Sequence, residues 1–130
     1  SPCNASTPIV LTVDEVAEII EQIGSSYLAA YADTQVLSIR GESLTDWFDR
    51  LGEKVRLVRF TDGNYNGYRI WGKGVLPAEK LAEEIYRTGF NGLISFQIPG
   101  ERYCENPKDA QKQNHFRALS AWREVMDCQR

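Results

Sequence analysis

The sequence has 130 residues, 42% of them apolar and 25% charged, with a net charge of −3. That balance suits one globular domain, 1–130, with a core of its own, and excludes wholesale disorder. The two charge signs are interspersed, so no basic block suits nucleic acid, and no apolar run approaches the roughly 18 residues of a membrane span.

Ser1 to Leu11 carries few regular signals. Thr12-Val13-Asp14-Glu15 reads as a capping box. Val13, Val16, Ala17, Ile20 and Ile23 follow at helical spacing, and Gly24 is a stop. Tyr27 to Ala32 is a short apolar run that suits a buried strand, ending at Asp33-Thr34. Ser43 caps a second helix with Leu44, Trp47, Phe48 and Leu51 as its stripe, and Gly52 closes it. Val55 to Phe60 is the second strand, and a Gly/Asn/Tyr-rich loop follows from Asp62 to Gly74. Pro77 opens a third helix with Leu81, Ala82, Ile85 and Tyr86 inward. Leu93 to Ile98 is the third strand. Asn106-Pro107 starts a last helix with Phe116, Leu119, Trp122 and Val125 or Met126 on its apolar side.

Strands separated by helices imply an α/β fold of parallel βα units. In such folds ligands bind at the carboxyl ends of the strands. Three stretches converge there: Asp33 to Gln35, Arg59 to Asp62, and Gln97 to Arg102, with the loop from Gly63 to Gly74 on the same rim. Tyr65, Tyr68, Arg69 and Trp71 form a sugar platform there or pack on the rim as loop residues. The lone histidine, His115, falls on the last helix, far from the strand ends. Cys3, Cys104 and Cys128 are few, odd in number and widely spaced, which fits reduced cytoplasmic thiols better than a disulfide framework. Asn4-Ala5-Ser6 matches a glycosylation sequon without further signs of secretion.

Several motifs recur in order over most of the chain. Gly41-Glu42-Ser43-Leu44, Trp47-Phe48, Leu51-Gly52 and Val55 to Asp62 resemble the penultimate unit of the sugar isomerase/epimerase family, in which a helix ending Leu-Gly precedes His-x-His-x-x-Asp. Trp71 to Pro77 resembles that family's Gly-x-Gly turn. Phe90 to Gln97 resembles its Gly-Tyr-x-Gly strand, and Asp33-Thr34 its Asp-Thr-Gly-His motif. The resemblance, to ketose 3-epimerases in particular, implies a partial (β/α) TIM barrel of the xylose-isomerase-like type, the C-terminal portion of one.

The resemblance also implies a chemistry. In that family two glutamates, an aspartate and a histidine hold a divalent cation (manganese, magnesium or cobalt). The cation stabilises a cis-enediolate while the glutamates move the proton. Asp33 matches the metal aspartate. Arg59 stands at the ligating histidine, three residues before a retained Asp62, and Gln97 stands at the glutamate of the last strand. Val36 matches the second motif's histidine, and the first glutamate falls near Ser6, Thr7 and Pro8. A guanidinium is a permanent cation and cannot ligate a metal. The expectation is therefore no metal in this chain alone.

The candidate site comprises Gln97 and Asp33 as catalytic positions, with Asp33 also the one metal ligand. Arg59, Asp62, Tyr68, Arg69, Trp71 and Arg102 are its substrate-binding positions. Asp33 either ligates a metal, pairs with Arg59 or caps the next element. Arg59 either holds a phosphate or carboxylate or fills the metal position as a salt bridge. Two functions remain open: a sugar or sugar-phosphate isomerase/epimerase, or a non-catalytic derivative that binds a small polar ligand such as a sugar or polyol, or serves only as a structural subunit. Three strands leave open edges, so a homo-oligomer or a fragment of a larger chain is expected.

Overall fold

A computed structural model describes residues 12–128 of the chain. Cys3, the Asn4 sequon and the Ser6–Pro8 stretch lie outside the described residues. The elements, in chain order, are α1 (Val13–Ile23), β1 (Ala30–Asp33), α2 (Thr34–Arg40), α3 (Leu44–Leu51), β2 (Val55–Arg59), β3 (Asp62–Asn64), β4 (Gly67–Arg69), α4 (Ala78–Arg87), β5 (Leu93–Ser95) and α5 (Pro107–Cys128). A 3₁₀ turn, Gly52–Lys54, leads into β2.

The helix ends follow from local chemistry. Thr12 Oγ accepts the Glu15 N–H at 3.2 Å and the Glu15 carboxylate accepts the Thr12 N–H at 3.0 Å, the reciprocal capping box read from the sequence. Ser43 Oγ accepts the Asp46 N–H at the start of α3. Asn106 Oδ1 accepts the Asp109 N–H at the start of α5. The first strand begins at Ala30, not at Tyr27. Ser25 Oγ accepts the Tyr27 N–H, and this Ser-initiated turn leaves Tyr27 exposed outside the sheet.

Three elements, α2, β3 and β4, lie where the sequence announced neither helix nor strand. Asp33 accepts N–H bonds from Gln35 and Val36 and so caps the unforeseen α2. Asn64 Oδ1 accepts the Asn66 N–H, closing the Tyr65-Asn66 connection between the antiparallel β3 and β4.

Strands β1, β2 and β5 form a parallel sheet in chain order, as the βα alternation predicted. The register aligns Ala32 with Val58 and Ile94, and Asp33 with Arg59 and Ser95. The strand pleat alternates faces. Ala32 and Val58 are fully buried in the core with Trp47, Leu51, Ala82 and Ile85 from α3 and α4. The other face carries Tyr31, Leu57 and Leu93 in one register row. Tyr31 is 52% and Leu93 74% exposed, so this face is open.

The last helix buries a narrow face: Ala110, Asn114, Ala118, Ala121 and Val125. Phe116, expected inside, sits two residues from both Asn114 and Ala118, roughly 200° around the helix. It is exposed. Tyr86 is likewise half exposed on α4, where Ala78, Ala82 and Ile85 are the buried side chains. The small side chains of α5 let it approach closely. Trp122 and Phe96 reach Phe60 edge-on from α5 and from the end of β5. No helix among the described residues is long and apolar enough to cross a membrane.

Ala118 has no exposed surface. Replacing it with leucine should destabilise the fold by about 1–3 kcal/mol through overpacking, seen as a lowered urea midpoint at unchanged slope. Phe116→Ser should leave the midpoint nearly unmoved.

Candidate functional site

The carboxyl ends of the three parallel strands meet the β3–β4 hairpin. Asp33 closes β1 and is buried there. Its Oδ1 accepts the backbone N–H groups of Gln35 and Val36 at 3.0 and 3.1 Å and the Thr61 hydroxyl at 3.2 Å. Its Oδ2 accepts the Tyr68 hydroxyl at 2.7 Å. Arg59, its register partner on β2, brings Nη1 to 3.8 Å from Oδ2, beyond hydrogen-bond range. The Arg59 guanidinium also lies 5.0 Å from the centre of the Tyr31 ring, the residue two before Asp33 on the same face. Burial, with the Asp33 hydrogen bond and charge added, pushes the Tyr68 hydroxyl far above its ordinary range, and Arg59 works in the other direction.

Thr34 Oγ accepts the Thr61 N–H at 2.9 Å and donates to the Thr61 carbonyl at 2.6 Å. This clasp holds the end of β2 against the start of α2. Thr34 and Thr61 fall within the stretches that the sequence brings to the strand ends, without a role of their own, and Tyr31 was not singled out. The strand alternation that puts Tyr31 on the face of Asp33 was the signal available for the last.

Asp62 does something different. It is 1% exposed. Its Oδ1 accepts the N–H groups of Gly63 at 2.7 Å and Leu76 at 3.1 Å. Its Oδ2 accepts those of Gly72 and Gly74, both at 3.0 Å. One carboxylate thus ties both ends of the loop that carries the hairpin. A side chain at Gly74 would collide with that carboxylate and with the backbone nitrogen of Gly63.

The remaining candidates are placed as follows. Trp71 is buried, its ring 4.5 Å from that of Phe60 and its Nε1–H donated to the Phe60 carbonyl, so it is sealed against the core. Arg69 donates to the Tyr68 carbonyl and Arg102 to the Asn66 carbonyl, which sets two more guanidiniums about the hairpin. Tyr103 accepts the Ile70 N–H on the far side of β4. Gln97 lies two residues past β5 and is exposed. The structure therefore joins Asp33, Arg59 and Tyr68 in one cluster, with Arg69 and Arg102 beside the hairpin, while Asp62 and Trp71 serve the loop and core behind it.

The donors present do not make a cation site. Asp33 already accepts four N–H or O–H bonds and faces a guanidinium. Among the described residues no three His, Cys, Asp or Glu side chains converge. His115 places its ring edge-on to Phe96. Cys104 and Cys128 are free and exposed.

No family model matches the chain. It is similar to the fructoselysine 3-epimerases of Escherichia coli O157:H7 and Shigella flexneri, 25% identical to each over 115 residues. The match covers 85% of this chain and 42% and 41% of those two proteins, so the chain spans about two-fifths of the relatives it matches. The likeness is to sugar epimerases, at a distance.

Two predictions follow from the two carboxylates. Asp62→Ala should cost roughly 3 kcal/mol or more, since buried N–H groups lose an ionised acceptor, and should speed hydrogen exchange at Gly72, Gly74 and Leu76. Tyr68, held protonated in the folded chain, stabilises it fully below about pH 10, where the unfolded phenol still keeps its proton. That stabilisation fades as pH rises through the higher folded value. Wild type should therefore lose stability relative to Tyr68→Phe from about pH 10 upward, and the variant should lack one late phenolate step in a spectrophotometric titration.

Proposed function

We propose that this chain is part of a sugar isomerase/epimerase-like domain and that it binds and orients a small sugar or polyol at the carboxyl ends of β1, β2 and β5. The observation that carries the reading is the register row Asp33, Arg59 and Ser95, with the Tyr68 hydroxyl fixed on Asp33. Polar groups converge there at the end of a parallel sheet where ligands bind in such folds. Below that row, Tyr31, Leu57 and Leu93 offer an apolar floor to the C–H faces of a sugar. The distant likeness to fructoselysine 3-epimerases supports the ligand class.

The chain's architecture supports a partial (β/α) barrel. Successive parallel strands bury one face against helices and leave the other open, and the open side is where a barrel closes. In this reading further βα units, or another copy of the chain, complete it.

The same side chains favour orientation of the sugar over its chemistry. Proton transfer next to a carbonyl needs a free base. The oxygens of Asp33 are taken by donors, and Gln97 at the end of the third strand has no carboxylate to offer. The non-catalytic reading of this chain, in which it holds no metal of its own, is thus the stronger. It leaves the base and any divalent cation to residues other than these.

Titration of the ¹⁵N-labelled chain with D-fructose should move the amide signals of Asp33, Gln35, Thr61 and Tyr68, and Tyr68→Phe should weaken that binding several-fold. Incubation with fructose in deuterium oxide and manganese should give no incorporation at the carbon next to the carbonyl. Incorporation would restore the catalytic reading. Absence of any sugar-induced shift at the strand ends would remove the site.

A further inference from the structure

We infer that the sugar-like ligand carries an oxyanion substituent, a carboxylate or a phosphate, and that Arg59 receives it. The inference rests on the ligand site proposed above and adds the charge of what enters it.

Arg59 is the member of the cluster whose hydrogen bonding is incomplete. Its Nε is buried and has no hydrogen-bond partner. Its contact with Asp33, at 3.8 Å, is an ion pair without a hydrogen bond. The carboxylate, by contrast, is satisfied without it: two backbone N–H groups and two hydroxyls already fill Oδ1 and Oδ2. Removing water from a guanidinium donor and giving it no acceptor is costly, and the group remains a donor in search of one.

The position is suited to receiving an anion. The Arg59 side chain is 28% exposed, so it is open on the ligand side. The Tyr31 ring lies beneath it, its centre 5.0 Å from the guanidinium carbon. With Nε buried, the exposed part of the planar guanidinium is what can meet the oxygens of a carboxylate or phosphate. Ser95, next along the register row, adds a hydroxyl at the same level. Arg69 and Arg102 at the hairpin supply further positive charge. The oxygens of both aspartates are buried and taken by donors, so neither offers the guanidinium a hydrogen bond, although Asp33 stands 3.8 Å away as its counter-ion. An oxyanion gives the exposed part of the guanidinium a charged acceptor, which a neutral sugar does not.

The test uses the whole chain uniformly ¹⁵N-labelled, so that backbone amides and arginine Nε–H groups are both followed, the Arg59 Nε–H signal being assigned by its loss in Arg59→Lys. Inorganic phosphate, D-gluconate and sorbitol are titrated separately. Phosphate, gluconate or both should shift the Arg59 signal, and sorbitol at equal concentration should not. The relative affinities of gluconate and phosphate then identify the substituent. Arg59→Gln should weaken anion binding by about ten-fold or more. Arg87→Gln, at an exposed pair on α4, should leave it unchanged. An Arg59 signal unmoved by both anions overturns the inference, as does an Arg59→Gln affinity within about two-fold of wild type, well under the effect of one charged hydrogen bond. The wild-type titration does not depend on the variant folding. Shifts at Tyr68 with sorbitol, joined to none with either anion, would sink the oxyanion and spare the sugar site. Silence with all three compounds would sink both.

Discussion

Four backbone N–H groups, from Gly63, Gly72, Gly74 and Leu76, point at one buried carboxylate. The loop between β2 and α4 has no helix of its own, and its hairpin has only three residues a side. Buried backbone donors must find acceptors. Asp62 supplies them for both ends of the loop at once, which fixes where β4 runs and hence where Tyr68 reaches. Glycine at 74 is part of the same device, since the carboxylate lies where a Cβ would be. The geometry of the strand-end cluster is thus set by a residue that faces away from it.

Tyr68 transmits that constraint. Its hydroxyl completes the acceptor shell of Asp33, whose other oxygen is filled by the first turn of α2 and by Thr61. Each added donor fills an acceptor position of the carboxylate and leaves it less in need of a hydrogen bond from the guanidinium beside it. Arg59 is therefore held by the Tyr31 ring, by its approach to the Tyr68 hydroxyl and by the charge of Asp33, not by a fork of hydrogen bonds to that carboxylate. Arginine–carboxylate pairs are frequently short and bidentate; this one is a single contact at 3.8 Å, beside a buried Nε without a hydrogen-bond partner.

The fold was legible where a pattern had one cause. The capping box at Thr12 and the caps at Ser43 and Asn106 declared their helices, and three apolar runs between helices declared parallel strands. Asp33 and Arg59 could be placed together because both end such runs, and parallel register carries strand ends to one edge. Reading failed where two causes compete for one residue. Tyr27 belongs to an apolar run, yet Ser25 turns the chain before it. Phe116 is large and apolar, yet α5 packs through alanines because close helix approach wants small side chains. The sequence leaves Asp33 three duties, to ligate a metal, pair with Arg59 or cap the next element; it caps α2, a short helix that no apolar periodicity announced. Trp71 has the chemistry of a sugar platform, but an indole stacked on Phe60, with its N–H spent on a carbonyl, is core. Partner geometry decides these cases, and it is not written in residue type.

The open face of the sheet gives the cluster its direction. Tyr31, Leu57 and Leu93 form an apolar row and Asp33, Arg59 and Ser95 a polar row one step further along the strands. Had the register slipped by one residue, Ala32 and Val58 would face outward and the charges would enter the core. The small, buried Ala32 and Val58 make that slip prohibitive, because the helices pack on them directly. Core packing on one side of the sheet therefore decides which polar groups stand on the other. A site built this way keeps its guanidinium aimed at the open side for as long as the helices stay docked, whether or not a ligand is there to meet it.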